Sequence, residues 1–304
     1  MPGFHRILYP TDFSDCARRA LPRAVQFARE WGAELHLLHA IVLHAVMETD
    51  RERLAGALVE EAERQLERLT DGGVADGVRI VPAVRRGIST APVILEYAAE
   101  HDVDLIVMGS HGRRGLRRFF LGSVAEEVTR VADAPVLIIG KHEDPAAADT
   151  AIRRIVVPVD FSSHCDLALE YAARLADRLG ADIVLLHVVE QVLYPDFYVP
   201  ITAAGIDVAA LREEARTRLS KMAERLIASG HEIRVETVVS VGHPAGQIVE
   251  FAETNEADLI VMATHGLTGL ERALVGSVTE RVARRASSSV LVVKPFGKPF
   301  PDGA

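Results

Sequence analysis

Residues 104–131, DLIVMGSHGRRGLRRFFLGSVAEEVTRV, contain an apolar run, a glycine-containing segment and an amphipathic run, in that order. The apolar run from Asp104 to Met108 predicts a buried strand, and the run from Val124 to Val131 predicts a helix. The glycines between them let backbone N–H groups approach an anion closely, and a helix presents unpaired N–H groups and its positive dipole end at its N-terminus. A strand, a glycine loop and a helix in this order therefore favour binding of a phosphate group.

The chain contains this unit twice, because residues 258–278, DLIVMATHGLTGLERALVGSV, repeat it with the same spacing. The opening stretch RILYPTDFS (6–14) also recurs as RIVVPVDFS (154–162), at an offset of 148 positions, whereas Gly122 recurs as Gly276 at an offset of 154. The larger offset predicts a short insertion in the second half, which we place at residues 193–200. This internal duplication predicts two domains, 1–143 (half one) and 151–296 (half two), joined through the polar, proline-bearing link 141–149.

Each half alternates predicted strands and helices. In half one the strands lie near 6–10, 35–40, 78–84, 104–108 and 136–139, and the helices near 15–31, 51–69, 91–101 and 124–132. The strands around Ile7, Leu37 and Ile106 are continuously apolar, which is typical of parallel strands covered on both faces. The pattern predicts an α/β fold of two tandem, five-stranded, doubly wound parallel sheets of the Rossmann-like, HUP-type nucleotide-binding class.

Two prolines make local predictions. Pro22 lies inside the first predicted helix and is expected either to kink it or to mark its true start. The residues from Pro295 onward, rich in proline and glycine, are expected to form a loose tail.

Composition narrows the class of protein. The 304-residue chain is 49% hydrophobic and 25% charged, as globular proteins are, and its formal charge of −9 argues against a nucleic-acid partner. Its 2 cysteines, Cys16 and Cys165, argue against a disulfide scaffold and favour a reducing compartment; we interpret both as small residues on helix faces. With no signal-type segment and no run long enough to span a bilayer, we expect a cytoplasmic protein without a membrane partner.

A doubly wound sheet binds its ligand beyond the carboxyl ends of the strands, where the strand order reverses. A nucleotide suits the residues expected there. Its phosphates would lie on the glycine loop and on the helix that begins at Ser123 or Ser277, and its base against Ala40 or Val188. The aspartate that follows the first strand of each half, Asp12 or Asp160, would contact the base, a sugar hydroxyl or the water ligands of a metal ion.

The spacing Gly109-x2-Gly112-x9-Gly122-Ser123 resembles the ATP-binding signature of the universal stress protein family, in its tandem two-domain form. The resemblance covers nearly the whole chain, because the aspartate ending the first strand, the end of the second strand, Gly87 and the loop all match, and each recurs. It implies a five-stranded α/β unit that in many members pairs through its last strand, so we expect the halves to pair and the chain to form a homodimer. It also implies binding of ATP or another adenine nucleotide, in some members with Mg or Mn and with slow hydrolysis, and a role in survival under stress.

The resemblance also assigns site residues, with adenine-side contacts near the first two strands of each half and phosphate contacts in the loops. The complete candidate set is Asp12, Ala40, Ile41, Met108, Gly109, His111, Gly112, Gly122, Ser123 and Val124 in half one, and Asp160, Val188, Met262, Ala263, His265, Gly266, Gly276, Ser277 and Val278 in half two. The departure is Ala263, which replaces the first glycine. If that position needs a positive φ, alanine costs about 1 kcal/mol, and if a nucleotide packs on it, the methyl group obstructs binding. Half two is therefore the less certain site.

Several of these residues have a structural alternative. Ser123 and Ser277 each begin a capping-box pattern, so either serine can serve its helix, a role compatible with phosphate contact. Asp12 and Asp160 can instead begin the following helix. His111 and His265 lie in the loops and face the ligand or solvent. The remaining candidates are interpreted as structural: His39 and His187 as core histidines, and Arg113, Arg114, Arg117 and Arg118 as a solvated surface.

Three functions fit the sequence. The first is a nucleotide-binding regulator or sensor in the stress response. The second is an enzyme of the same fold, but the His-x-Gly-His or Ser-Gly-Gly loop of nucleotidyl transferases and ATP pyrophosphatases does not follow the first strand, so at most slow ATP hydrolysis is expected. The third is a nucleotide-free interaction scaffold, against which the intact glycines of half one argue. A Rossmann dehydrogenase fits less well, because no glycine fingerprint follows the first strand. The sequence assigns no catalytic residue and no metal ligand.

Overall fold

The computed structural model describes residues 3–42, 48–112, 121–140, 151–190, 207–264, 276–294 and 297–301. The elements of half one are β1 (Arg6–Pro10), α1 (Asp15–Trp31), β2 (Glu34–Val42), α2 (Glu48–Thr70), β3 (Arg79–Gly87), α3 (Thr90–Glu100), β4 (Leu105–Gly109), α4 (Ser123–Val131) and β5 (Val136–Ile139). Those of half two are β6 (Arg154–Pro158), α5 (Cys165–Leu179), β7 (Asp182–Glu190), α6 (Val208–Ala228), β8 (Val235–Gly242), α7 (Pro244–Thr254), β9 (Leu259–Ala263), α8 (Ser277–Arg285) and β10 (Ser289–Val293). The link 141–149 and the predicted insertion at 193–200 lie outside the described residues.

All ten strands form one sheet in the order β3-β2-β1-β4-β5-β10-β9-β6-β7-β8. Within each half the strands are parallel, and the strand order reverses between β1 and β4 and between β6 and β9. These features confirm the predicted α/β fold. The two last strands, β5 and β10, pair antiparallel, with Leu137 opposite Leu291. The strands of half two consequently run opposite to those of half one.

Successive residues of each central strand bury their side chains on opposite faces of the sheet. Leu37 and Leu105 pack in the core beneath α1 and α2, whereas Leu38 and Ile106 pack in the core beneath α3 and α4. All four side chains are completely inaccessible to solvent. Helices therefore cover both faces of the sheet. This explains why the sequences of these strands are continuously apolar and do not alternate between apolar and polar residues.

The structure excludes one of the two alternatives for Pro22 and corrects the prediction of a loose tail. The helix α1 begins at Asp15, where Ser14 accepts a hydrogen bond from the Ala17 N–H, so Pro22 lies inside the helix and does not mark its start. The described part of the tail, 297–301, is not loose: the ring of Phe300 is 2% exposed and lies 5.1 Å from the ring of Phe4 and 5.1 Å from that of Tyr171. Apolar contacts with both halves hold this segment in place.

Candidate functional site

The segment after β1 folds into a tight turn organised by Asp12. One carboxylate oxygen, Oδ1, accepts a hydrogen bond from the Ser14 N–H at 3.0 Å. Between these residues, Phe13 has φ +63°, in the left-handed region that bulky side chains rarely adopt. Its N–H donates to the Thr11 hydroxyl at 3.0 Å, which holds this conformation. Such strain costs about 1–3 kcal/mol and concentrates at functional sites.

His39, which the sequence suggested was a core residue, is half-buried against the same turn. Its Nδ1 lies 2.8 Å from the Thr11 carbonyl oxygen, so Nδ1 carries a hydrogen and donates a hydrogen bond there. The imidazole stacks on the ring of Phe13, with centroids 4.5 Å apart. Half two repeats the arrangement: Phe161 has φ +64°, and its ring lies 4.4 Å from that of His187. The recurrence of both residue types at the offset of 148 was the sequence signal for this pair.

Gly109 ends β4 where helix α1 crosses it. A Cβ atom at this position would lie 2.7 Å from the carbonyl oxygen of Cys16 and 3.0 Å from its carbonyl carbon. Gly109 does not have a positive φ, so the close approach of the helix backbone is the reason for a glycine at this position. Neither the positive-φ explanation nor direct packing of a nucleotide is needed to account for it.

Two further glycines shape the loop. A Cβ on Gly112 would lie 2.6 Å from Oδ2 of Asp12, so the backbone at Gly112 lies directly against that carboxylate. The N–H of Gly122 donates to the Ser110 carbonyl at 2.8 Å, which joins the two described ends of the loop. His111 is half-buried, and its Nδ1 lies 2.9 Å from the Ser110 hydroxyl. The structure thus brings Asp12, Gly112 and Gly122 together at the end of the sheet.

The capping-box alternative for the two serines is wrong. Gly122 and Gly276 are the N-caps, and neither helix start has a side-chain capping bond. Ser123 and Ser277 are the first helical residues and are exposed. In α4 the first intrahelical bond runs from the Glu126 N–H to the Gly122 carbonyl, so the N–H groups of residues 123–125 have no acceptor within the helix.

In half two the matching aspartate, Asp160, accepts three hydrogen bonds at one carboxylate oxygen. Oδ1 of Asp160 accepts from the Ser162 N–H at 3.0 Å, the Ser162 hydroxyl at 2.6 Å and the Cys165 thiol at 2.9 Å. Burial, and then the hydrogen bond to Asp160, raise the pKa of the Cys165 thiol to about 12. This thiol is therefore protonated at neutral pH and is a donor rather than a nucleophile.

Ala263 ends β9, and its carbonyl accepts a hydrogen bond from the Thr279 hydroxyl at 2.8 Å. The helix that follows the first strand begins at Cys165, two positions later than α1 does in the duplicated register. The residue matching Cys16 is His164, which precedes the first turn of α5. The alanine in place of glycine therefore accompanies a later start of the helix. The described residues on either side of the loop are still joined, because the Gly276 N–H donates to the Thr264 carbonyl.

A cation lies over the aromatic pair of half two. The guanidinium carbon of Arg218, on α6, is 4.0 Å from the centroid of the Phe161 ring. The pKa of His187, whose ring also neighbours that of Phe161, is lowered by burial and, less strongly, by the charge of Arg218. Sequence spacing did not indicate Arg218, because a contact between a helix and a turn has no periodic signal.

The other candidate residues divide into three groups. Three have side chains buried in the hydrophobic core, so only their backbone can line the crevice: Ile41, Met108 and Met262. Four are half-buried near the strand ends or helix starts: Ala40, Val124, Val188 and Val278. His265 and Gly266 lie outside the described residues, as do Arg113, Arg114, Arg117 and Arg118.

Among the described residues, no three His, Cys, Asp or Glu side chains are grouped closely enough to hold a metal ion. None of the described helices combines the length and apolar character needed to cross a membrane.

The model of the universal stress protein family matches residues 3–140 and again residues 151–294. A universal stress protein of Methanocaldococcus jannaschii is 39% identical over 145 residues, which are 47% of this chain and 82% of that protein. The crystal structure of a universal stress protein from Archaeoglobus fulgidus superposes with a TM-score of 0.73 at 24% identity, covering 95% of this chain and 98% of its own. Another universal stress protein, solved in complex with cAMP, is 26% identical, covers 47% of this chain and 97% of its own and has a TM-score of 0.37. Since the family model accounts for both halves, this chain belongs to the universal stress protein family and carries the family unit twice.

Proposed function

We propose that this protein is an ATP-binding regulator of the stress response with one adenine-nucleotide site in each half. The observation that carries the proposal is the position of Gly112 against the Asp12 carboxylate. The backbone at Gly112 lies against the aspartate that follows β1, and Gly122 directly precedes the open N-terminus of α4. In the proposed binding mode the base or ribose of the nucleotide lies near Asp12, and its phosphates lie at the start of α4.

The phosphate end is supported by the start of α4. The N–H groups of residues 123–125 have no intrahelical acceptor, and the Ser123 hydroxyl is exposed beside them. Oriented N–H groups and the helix dipole together favour an anion at this point. A bound Mg or Mn ion would then be held by the phosphates and water, since the described residues offer no metal cluster of their own.

The base end is supported by the turn after β1. Phe13 is held in a strained conformation, and its ring carries the oriented imidazole of His39. The same strain and stack recur at Phe161 and His187 although the two halves differ at most other positions. A shared strained turn beside a shared aspartate is more consistent with a common ligand than with helix capping alone.

A regulator fits better than an efficient enzyme. The one thiol at the crevice of half two, Cys165, is protonated at neutral pH, and His39 and His187 each direct Nδ1 to a backbone carbonyl. Nucleotide occupancy, with ATP hydrolysed slowly if at all, is then the signal. The proposal includes a cytoplasmic location and no nucleic-acid partner, in keeping with the formal charge of −9.

The proposal is tested by calorimetric titration of the purified chain with ATP and Mg, alongside ADP, AMP and cAMP, after native mass spectrometry for co-purified nucleotide. Two adenine nucleotides per chain support both sites, and one per chain restricts the proposal to half one. Gly112→Ala should weaken binding to half one at least about tenfold, because its methyl group displaces the Asp12 carboxylate. The double variant Gly122→Val, Gly276→Val should abolish binding and retain the fold.

The matched control is Gly246→Ala, because a Cβ on Gly246 meets nothing within 4 Å. It should bind ATP as the native chain does. No heat of binding and no co-purified nucleotide would contradict the proposal and favour the nucleotide-free scaffold.

A further inference from the structure

The ten-stranded sheet ends in two edge strands, β3 and β8, that occupy equivalent places in the duplicated halves. Leu35 pairs with Ile80 and, in half two, Ile183 pairs with Val235. Because Leu35 and Ile183 are equivalent at the offset of 148, their partners Ile80 and Val235 are equivalent too, and so are Pro82 and Thr237. No described strand pairs with the outer side of either one.

The register fixes which backbone groups face outward on β8. The Ile183 N–H donates to the Arg234 carbonyl at 2.8 Å, so residue 234 and every second residue after it bond to β7. The N–H and C=O groups of Val235, Thr237, Val239 and Val241 then point away from the sheet. By the same correspondence, the nitrogen of Pro82 points outward on β3.

The two edges differ in protection. On β3, Pro82 removes an outward donor, and the strand carries Arg79, Arg85 and Arg86; both features are common ways to block pairing with another chain. On β8, the sequence VETVVSVG contains no proline and one charged residue, Glu236, and every residue but Glu236 is half-buried. Half two therefore ends in an unblocked edge of eight residues.

We propose that β8 pairs antiparallel with β8 of a second copy of this chain, forming a two-fold symmetric dimer with a continuous twenty-stranded sheet. The strands that end the halves, β5 and β10, are already paired with each other, so they are not available for a second copy. Among the described strands this leaves the two outer edges, of which β3 is blocked. The proposal does not depend on nucleotide binding.

A second copy suits this edge because the strand is complementary to itself. In the register that pairs residues 235–241 of both copies, Val238 lies opposite its symmetry mate, Val235 faces Val241 and Thr237 faces Val239. The single charge, Glu236, faces Ser240, so no like charges are opposed. All four outward residues then exchange backbone hydrogen bonds with the partner.

The test variant is Thr237→Pro, which gives β8 the residue that β3 already has. Because the Thr237 N–H points outward, proline removes no bond to β7, but it removes a donor from the dimer and places a ring against the partner strand. The control is Thr237→Val, which keeps the N–H. Sedimentation velocity across a concentration series should show a dimer for the native chain and Thr237→Val, and a monomer for Thr237→Pro.

Circular dichroism and thermal unfolding show whether Thr237→Pro is folded. If it is not, hydrogen exchange of the native chain decides the matter: the amides of residues 235, 237, 239 and 241 should become protected as protein concentration rises, and the equivalent amides of β3 should not. A native chain that stays monomeric, a folded Thr237→Pro variant that stays dimeric, or concentration-independent exchange along β8 would each overturn the proposal.

Discussion

Replacing Gly109 with alanine tests whether this glycine serves the fold or the ligand. The added methyl group would lie 2.7 Å from the Cys16 carbonyl oxygen, well inside van der Waals contact, and the obstacle is helix backbone. Helix α1 or strand β4 must therefore shift. Overpacking of this kind lowers the free energy of unfolding by about 1–3 kcal/mol. The lower conformational entropy of alanine in the unfolded chain offsets about 0.4–1 kcal/mol of this loss.

We therefore expect a net loss of about 1–2 kcal/mol in the free energy of unfolding of half one, equivalent to a fall of about 2–8 °C in its midpoint. The assay is intrinsic fluorescence during thermal unfolding. The sequence contains 1 tryptophan, Trp31, at the end of α1, with its ring 5.1 Å from that of Phe4. The signal therefore reports on the half and the helix that the substitution perturbs.

The matched control is Ala263→Gly, the reverse change at the equivalent position of half two. It should leave the Trp31 transition nearly unchanged. If Gly109→Ala unfolds at the native midpoint but no longer binds ATP, the reasoning is wrong, and the glycine is there for the nucleotide.

Three further predictions follow from single contacts. His36 is 3% exposed, and its pKa is lowered below the ordinary 6.5 by burial and then by the charge of His101. The unfolded chain therefore binds a proton at His36 more readily than the folded chain does. The free energy of unfolding should consequently fall as pH drops below about 6.5, by at most about 1.4 kcal/mol per pH unit. His36→Val, which installs the residue of the matching position Val184, should lose that part of the pH dependence, and identical pH profiles of the melting midpoint would contradict it. Phe300→Ala should cost about 3–5 kcal/mol, because the ring fills a buried site against Phe4 and Tyr171; an unchanged midpoint would show that the tail is dispensable. The pKa of Cys165 is raised to about 12, so this thiol should react with iodoacetamide far more slowly than Cys16 at pH 8. In denaturant the two thiols should react at the same rate. Equal rates in the native protein would refute the buried hydrogen bond from Cys165 to Asp160.

The sequence predicts the order and class of the elements well because apolar runs and glycines are local signals. The predicted strand 136–139 and helix 15–31 agree with β5 and α1 residue for residue. The family assignment is likewise confirmed by matches to both halves. Prediction fails where a residue's role depends on contacts distant in sequence. The reason for Gly109 lies in the backbone of Cys16, and that for the ordered tail lies in the rings of Phe4 and Tyr171.

The candidate site shows the same division. The sequence identifies Asp12, Gly112 and Gly122, and the structure places them together. It did not identify the left-handed conformation of Phe13, because φ there is set by hydrogen bonds to Thr11 and Asp12 rather than by residue type. The capping role that the sequence offered as an alternative for Ser123 is one residue too late, because Gly122 is the N-cap of α4. The assignment of the nucleotide site itself stays a prediction.

The antiparallel junction between β5 and β10 determines where the two candidate sites lie relative to each other. Since the strands of the halves point in opposite directions, their carboxyl ends, and with them the two crevices, open at opposite margins of the sheet. Two ligands bound there cannot touch or exclude each other. Any dependence of one affinity on the other must pass through the paired backbone of β5 and β10 and the helices packed on it. If both proposed sites bind a nucleotide, the two bound ligands will lie at opposite margins of the sheet, where two separate partners would have access to them.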